Sequence, residues 1–368
     1  MHPGANHVPP TALDAAVVVT VAVLVVLVVL ATVLATAWRR GRSQRPEDPA
    51  TEEIDVPNPL PAVVANPTKI SDMDGERAWL ARRCSELAWQ RPLWFETRID
   101  EPGRAAARSA VEMGARTVLA YGGDGTVRNI AAGLEGTGTS LAILPMGTGN
   151  LLARNLGIPL YDHELAVKVA LTGHEQRIDV GHLEIDVSGE DDVPVHETFL
   201  VMAGLGFDAE VMATVEPALK EKVGWWAYVV AGARRLRGRT TAVTLQVDDA
   251  EPVRSRVRSV VVGNCGELTG GLALLPDAEV DDGWLDIVVV APRSVVDWGA
   301  VVFTVLSRAK LSKVRVPGAR TVVRHYRCHS AEIRAEKPLA VQVDGDPAGD
   351  ARTLRVSVRP GGLAVRIP

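Results

Sequence analysis

What this sequence lacks narrows the reading first. Its three cysteines, Cys84, Cys265 and Cys328, lie far apart and form no ligand-spaced pair. That argues against a disulfide scaffold and for plain thiols in a reducing compartment. The eight histidines show no metal-ligand spacing either. Positive charge is not in excess, the formal net charge being −5, so a nucleic-acid partner is not suggested. There is no Walker A loop, which would end in Gly-Lys-Ser/Thr, and no dinucleotide-binding fingerprint. Internal repeats are absent, and so is any low-complexity tract within the body of the chain.

One long apolar run is present. Residues 15–38 carry no charge and are built from Val, Leu, Ala and three Thr, closed by Trp38 and followed by Arg39, Arg40, Arg42 and Arg45. A bilayer crossing needs about 20 apolar residues. The run therefore predicts a transmembrane helix after a short tail, 1–14, and the positive-inside rule places the C-terminal body on the cytoplasmic side. The expected localisation is the cell membrane, single-pass. A cleaved signal peptide competes, since 35–37 (Ala-Thr-Ala) could be cut, but no Lys or Arg precedes the run. Residues 39–60 read as a linker, and the stretch 46–61 is rich in Pro, Asp and Glu without apolar periodicity.

The densest local signal is Gly122-Gly123-Asp124-Gly125-Thr126, between a predicted strand at 117–121 and a helix opening near Thr126. Glycines let backbone N–H groups approach an anion, and a helix start adds the positive end of its dipole. A carboxylate beside a phosphate cradle is unfavourable unless a divalent metal or a proton transfer needs it, which points to phosphoryl transfer. A second turn, Pro145-Met146-Gly147-Thr148-Gly149-Asn150, follows the apolar run 141–144 and precedes a helical stretch, 151–156. Two such units in succession place two anion-binding turns at the carboxyl edge of one parallel sheet.

From 62 to 172 short strands (62–66, 93–97, 117–121, 141–144) alternate with helices (76–90, 103–113, 126–134, 161–172). This predicts a Rossmann-like parallel sheet. After Gln176 strands dominate, at 198–203, 241–247, 257–264, 284–290, 321–326, 331–335, 339–343 and 353–358, with helices expected at 209–219 and 225–236. The predicted fold class is α/β, a Rossmann-like nucleotide domain followed by an antiparallel β-sandwich, with an N-terminal transmembrane helix. The expected domains are 61–174, with 361–368 returning to it, and 175–360. Arg234, Arg235, Arg237 and Arg239 follow Trp225, Trp226 and Tyr228. That stretch is a packed helix with a solvated end or, less readily, a surface for anionic lipid.

These motifs resemble the diacylglycerol kinase and sphingosine kinase family of lipid kinases. Val63-Val64-Ala65-Asn66-Pro67 looks like its opening strand and turn, Glu96-Thr97 ends the second strand, and Pro276-Asp277-Ala278 precedes Asp281-Asp282-Gly283-Trp284-Leu285-Asp286. Val343-Asp344-Gly345-Asp346 lies near the C-terminus, and the resemblance covers roughly 62–367. It implies ATP and Mg²⁺ as cofactors. Gly122, Gly123, Asp124, Gly125 and Thr126, together with Gly147, Thr148, Gly149 and Asn150, would hold the ATP phosphates, and Asn66 and Thr97 would lie near the nucleotide. Asn66 could equally form an Asx turn before Pro67. Asp344 and Asp346 would be general base and metal partner, with Asp124 the other candidate base, and the sequence leaves these assignments open. Val-Asp-Gly-Asp is also a plain hairpin signature. Asp282, with Glu279 and Trp284, matches a segment that holds a structural Mg²⁺ in some members, or is a solvated acidic turn.

Two positions depart from the family. Thr68-Lys69 stands where Ser-Gly is common, and Arg128-Asn129 stands where Asn-Glu is common. The resulting expectation is a membrane-anchored, ATP-dependent lipid kinase acting most readily on diacylglycerol to give phosphatidic acid. Its partners would be a membrane lipid substrate and the membrane itself, with a homodimer left open. The alternatives are an NAD kinase-like soluble-metabolite kinase and a non-catalytic lipid-binding protein on the same scaffold.

Overall fold

A computed structural model of the chain describes residues 58–186, 193–206, 240–267, 275, 277–291 and 323–368. Strands β1 (Pro61–Ala65), β2 (Leu93–Glu96), β3 (Thr117–Gly122) and β4 (Ser140–Pro145) pair in parallel in the order β4-β3-β1-β2. Strands β1, β3 and β4 are buried along their whole length, as their unbroken apolar runs require of a sheet covered on both faces.

The helices are α1 (Met73–Glu86), α2 (Arg104–Glu112), α3 (Asp124–Leu134), α4 (Leu151–Asn155) and α5 (His163–Thr172). Side-chain alternation along the strands divides them between the two faces. Val64, Val118, Ala120 and Ile143 share a core with Ala107 and Ala110 of α2 and Ile130 of α3. Val63, Leu119, Ala142 and Leu144 share another with Leu80 of α1 and Ala166 and Ala170 of α5. Each fully buried Leu or Val contributes about 1.5–3 kcal/mol.

The antiparallel part comprises β5 (His174–Asp186), β6 (Val195–Phe199), β7 (Met202–Leu205), β8 (Thr241–Val247), β9 (Val253–Val257), β10 (Ser259–Gly263), β11 (Leu285–Val290), β12 (Val323–Cys328), β13 (Ser330–Val343) and β14 (Asp346–Ile367). These strands share their own apolar core, which includes Phe199, Leu205, Val262, Ile287, Ile333, Val343 and Leu354. Strand β14 joins the two parts. Its first stretch pairs with β13, it runs antiparallel to β5, and Val365 then pairs in parallel with Leu141 of β4. The register shifts between Arg359 and Leu363, where Gly361 takes φ +56°.

Several boundaries differ from the sequence reading. Helix α1 starts three residues before the expected 76 because Asp72 caps it, accepting from the Gly75 N–H at 3.0 Å. It stops at Glu86 rather than 90, where Ala88 turns left-handed at φ 58°. Strands β5 and β9 were not expected, and the pairs expected at 331–335 and 339–343 are one strand with a bulge between Arg334 and Leu339.

The expected single-pass membrane localisation is corrected. Among the described residues no helix is long and apolar enough to cross a membrane, and the run at 15–38 lies outside the described residues, as do the helices expected at 209–219 and 225–236. The three cysteines are unpaired and buried.

Candidate active site

Two glycine turns meet at the carboxyl edge of the parallel sheet, beside the point where strand order reverses between β1 and β3. In the first, Gly122 lies under Thr126: a Cβ on it would sit 2.6 Å from that of Thr126. Gly123 is the N-cap of α3 and has no side chain to bond its first N–H groups, which leaves them available to an anion. The second turn crosses the first closely. A Cβ on Gly147 would lie 2.8 Å from the Gly123 Cα, and the Met146 N–H donates to the Gly122 carbonyl at 2.9 Å.

Asn150 fixes the second turn. Its Oδ1 accepts from the Gly147 N–H at 2.8 Å and its Nδ2 donates to the Gly147 carbonyl at 2.7 Å. It takes φ 46°, a conformation that Asn tolerates better than most side chains. The next residue, Leu151, donates its N–H to Asp124 Oδ1 at 2.6 Å. Thr148 stands exposed at the tip.

The third wall is the two-residue turn between β13 and β14. Asp344 and Gly345 both have positive φ, 48° and 88°, the geometry that Asp-Gly favours in a tight hairpin. The Asp344 carboxylate is buried and committed to backbone. Oδ1 accepts from the N–H groups of Val201 and Met202, each at 2.9 Å, and Oδ2 from that of Leu200 at 3.0 Å. Asp346 behaves differently. Its side chain is 55% exposed and reaches over the first glycine turn, with Oδ2 2.9 Å from where a Cβ on Gly125 would be. Arg128 of α3 pairs with Asp346 at 3.2 Å and also donates to the Val343 carbonyl.

Asp124, Asp344 and Asp346 therefore converge from two parts of the sheet. Burial pushes the Asp124 carboxyl up to about 6; the charges of Asp344 and Asp346 push the same way, and the N–H groups of Leu151 and Asn150 oppose them. Burial raises Asp344 as well, against Arg128 and its three amide donors.

Asn66 and Thr97 directly follow β1 and β2 at the same edge. The Asn66 N–H donates to the Tyr121 carbonyl at 2.9 Å, and that of Thr97 to the Ala65 carbonyl at 2.8 Å. Asn66 forms the Asx turn, accepting from the Thr68 N–H at 3.1 Å, and Thr97 is buried. Asp282, Glu279 and Trp284 do not join this group. Asp282 accepts from the Trp284 N–H at 2.9 Å and pairs with Arg327, whose guanidinium lies over the Trp284 ring. Glu279 is exposed. Among the described residues no set of three His, Cys, Asp or Glu could hold a metal unaided. A cavity of about 390 Å³ lies elsewhere, lined by His182, Glu184, Glu332 and Arg355 among others, and shares no residue with the glycine turns.

Two residues with tying roles in the fold gave little sequence signal. Arg128 stood out only as a departure from the family pattern. Buried Asp179 receives the N–H groups of Gly283 at 2.6 Å and Gly361 at 2.7 Å, so it ties the 281–283 turn to the bend of β14. Nothing around it in sequence marks that role.

Converging glycine turns at a helix start, faced by carboxylates from an antiparallel β part, suit phosphoryl transfer. Residues 62–183 match the diacylglycerol kinase catalytic domain, and residues 201–367 match the YegS C-terminal NAD kinase β-sandwich-like domain. A Pseudomonas aeruginosa PAO1 protein named "Probable lipid kinase YegS-like" is 34% identical over 279 residues, covering 73% of this chain and 82% of that one. A protein of the same name from Pseudomonas putida is 32% identical over 262 residues, covering 70% and 79%. The chain belongs to the YegS-like lipid kinase family. A crystal structure of a diacylglycerol kinase from Bacillus anthracis shares the fold, with a TM-score of 0.65 at 22% identity over 84% of this chain and 97% of that one.

Proposed function

We propose that this chain transfers the γ-phosphoryl group of ATP to a lipid hydroxyl, diacylglycerol being the first acceptor to test and phosphatidic acid its product. The observation that carries the reading is the approach of Asp346 to Gly125, which sets a β-part carboxylate against the N-terminus of α3. The N–H groups of Gly123–Thr126 and the Gly147–Asn150 turn cradle the triphosphate. Thr148, exposed at the tip, adds a hydroxyl, and Asn66 and Thr97 border the nucleotide at the edge of the sheet.

Three roles divide among the acidic residues. Asp124, poised near 6, is mostly ionised at neutral pH and basic enough to take the proton of the attacking hydroxyl. Asp344 holds the hairpin turn through its three amide donors. Asp346, more exposed, faces the phosphates. The exposed carboxylate of Asp346 suits Mg²⁺, which usually binds one or two carboxylates together with substrate phosphates rather than an all-protein cage. When bound, the ion would neutralise charge on the β- and γ-phosphates.

The test is incubation of the purified chain with labelled ATP and either total membrane lipids or NAD, followed by identification of the labelled product. Label in a lipid supports the reading. Label in NAD with none in lipid replaces it with a soluble-metabolite kinase.

A further inference from the structure

Arg128 is the one residue of α3 that grips the β-part turn on both sides. It sits four residues after Asp124, one helical turn on and on the same face. One Nη donates to the carbonyl of Val343, the residue before the turn, and the other pairs with Asp346, the residue after it, at 3.2 Å. Between them lie Asp344 and Gly345, both at positive φ. The Arg128 side chain is only 13% exposed, so the pair is shielded from solvent on the arginine side. Arg is suited to this because its planar head presents donors in fixed directions, whereas a lysine ammonium is a single point.

Two carboxylates feel this cation: Asp346 pairs with it and buried Asp344 is held down by its charge, while Asp124, on the same helix, feels the charge of both carboxylates. The three amide donors to Asp344 hold one side of the turn, and Arg128 is the contact that ties Asp346, on its other side, to α3.

We propose that Arg128 is a positioning residue: a clamp that fixes the Asp344–Asp346 turn against α3 so that Asp346 meets the transferring phosphoryl group in register with Asp124. The clamp acts through Asp346 and not through direct nucleotide binding. It rests on the phosphotransfer reading above for its catalytic consequence but not for its structural one, and the experiment separates the two.

Full-length wild type, R128A, R128K, D346A and R128A/D346A are compared by amide hydrogen exchange over 342–348 and by steady-state phosphate transfer to lipid. Exchange in this segment is expected to rise at least tenfold in R128A and by less in R128K. R128A should lower kcat by roughly 10–100-fold with KM for ATP within about threefold, since misplacement rather than lost binding is at issue. Because the residue acts through Asp346, the double variant should match D346A within about twofold. Unchanged exchange in R128A overturns the clamp. A raised KM for ATP with kcat retained, or single losses that multiply in the double variant, overturns the action through Asp346. If R128A does not fold, R128K takes its place in each comparison. If wild type phosphorylates no lipid, the functional reading falls and the exchange result alone decides the clamp.

Discussion

Asp124→Asn is expected to remove activity while making the protein more stable at neutral pH. In the folded chain burial and two neighbouring carboxylates raise the Asp124 carboxyl from 3.8 to about 6. The folded state thus holds this proton more tightly than the unfolded chain does. Stability from the group is complete below about pH 4 and declines as pH rises through about 6, because the unfolded state releases its proton first. A gap of about two pK units corresponds to an upper limit of about 3 kcal/mol at pH 8. Asparagine carries no charge and keeps an oxygen for the Leu151 N–H, which now lies 2.6 Å from Oδ1. The variant should therefore recover most of that energy, raising Tm by roughly 4–8 °C at neutral pH. The assay is thermal unfolding of both proteins from about pH 3.5 to about pH 8, with phosphate transfer measured alongside. The two Tm curves should converge at the acid end and separate above about pH 5, while turnover falls by about 10²-fold or more. Parallel curves across the whole range, or a wild type that is the more stable at pH 8, would refute the argument.

Two further outcomes follow from the same geometry. Gly147→Ala would put a methyl 2.8 Å from both the Gly123 Cα and the Asn150 Oδ1, forcing the glycine turns apart; ATP affinity by calorimetry should fall about tenfold or more, with far-UV circular dichroism unchanged. Asp344→Ala and Asp346→Ala should separate in denaturant titrations: the first leaves the buried N–H groups of Leu200, Val201 and Met202 without their acceptor and should cost about 3 kcal/mol or more, whereas the second, at a largely exposed side chain, should change stability by less than about 1 kcal/mol yet still lower turnover. Equal losses of stability would remove the division of roles between them.

The parallel half was legible because its signals are local. Unbroken apolar runs such as 117–121 and 141–144, each ending in glycines and followed by a helical period, can be read without knowing what packs on them. The antiparallel half was harder. Strand β5 carries His174, Glu175, Gln176 and Arg177 before its apolar stretch, and β14 contains Pro360-Gly361-Gly362; both look like loop until their partners are known. Their pairing with each other supplies the hydrogen bonds that make them strands, and sequence periodicity does not contain a partner.

The same contrast holds at the site. The amino-acid order alone determined that two glycine turns would lie at the carboxyl ends of neighbouring parallel strands, and that an Asp-Gly pair near the C-terminus would turn sharply, because backbone sterics and helix ends act within a few residues. Which of the two hairpin carboxylates is tied to backbone and which stays exposed was decided by tertiary structure. Asp344 is engaged by amides more than 140 residues away in sequence, and Asp346 lies against Gly125 and is held by Arg128. Proton affinity and reach depend on desolvation and on neighbouring charge, and both are fixed only when β14 carries the two parts of the sheet together.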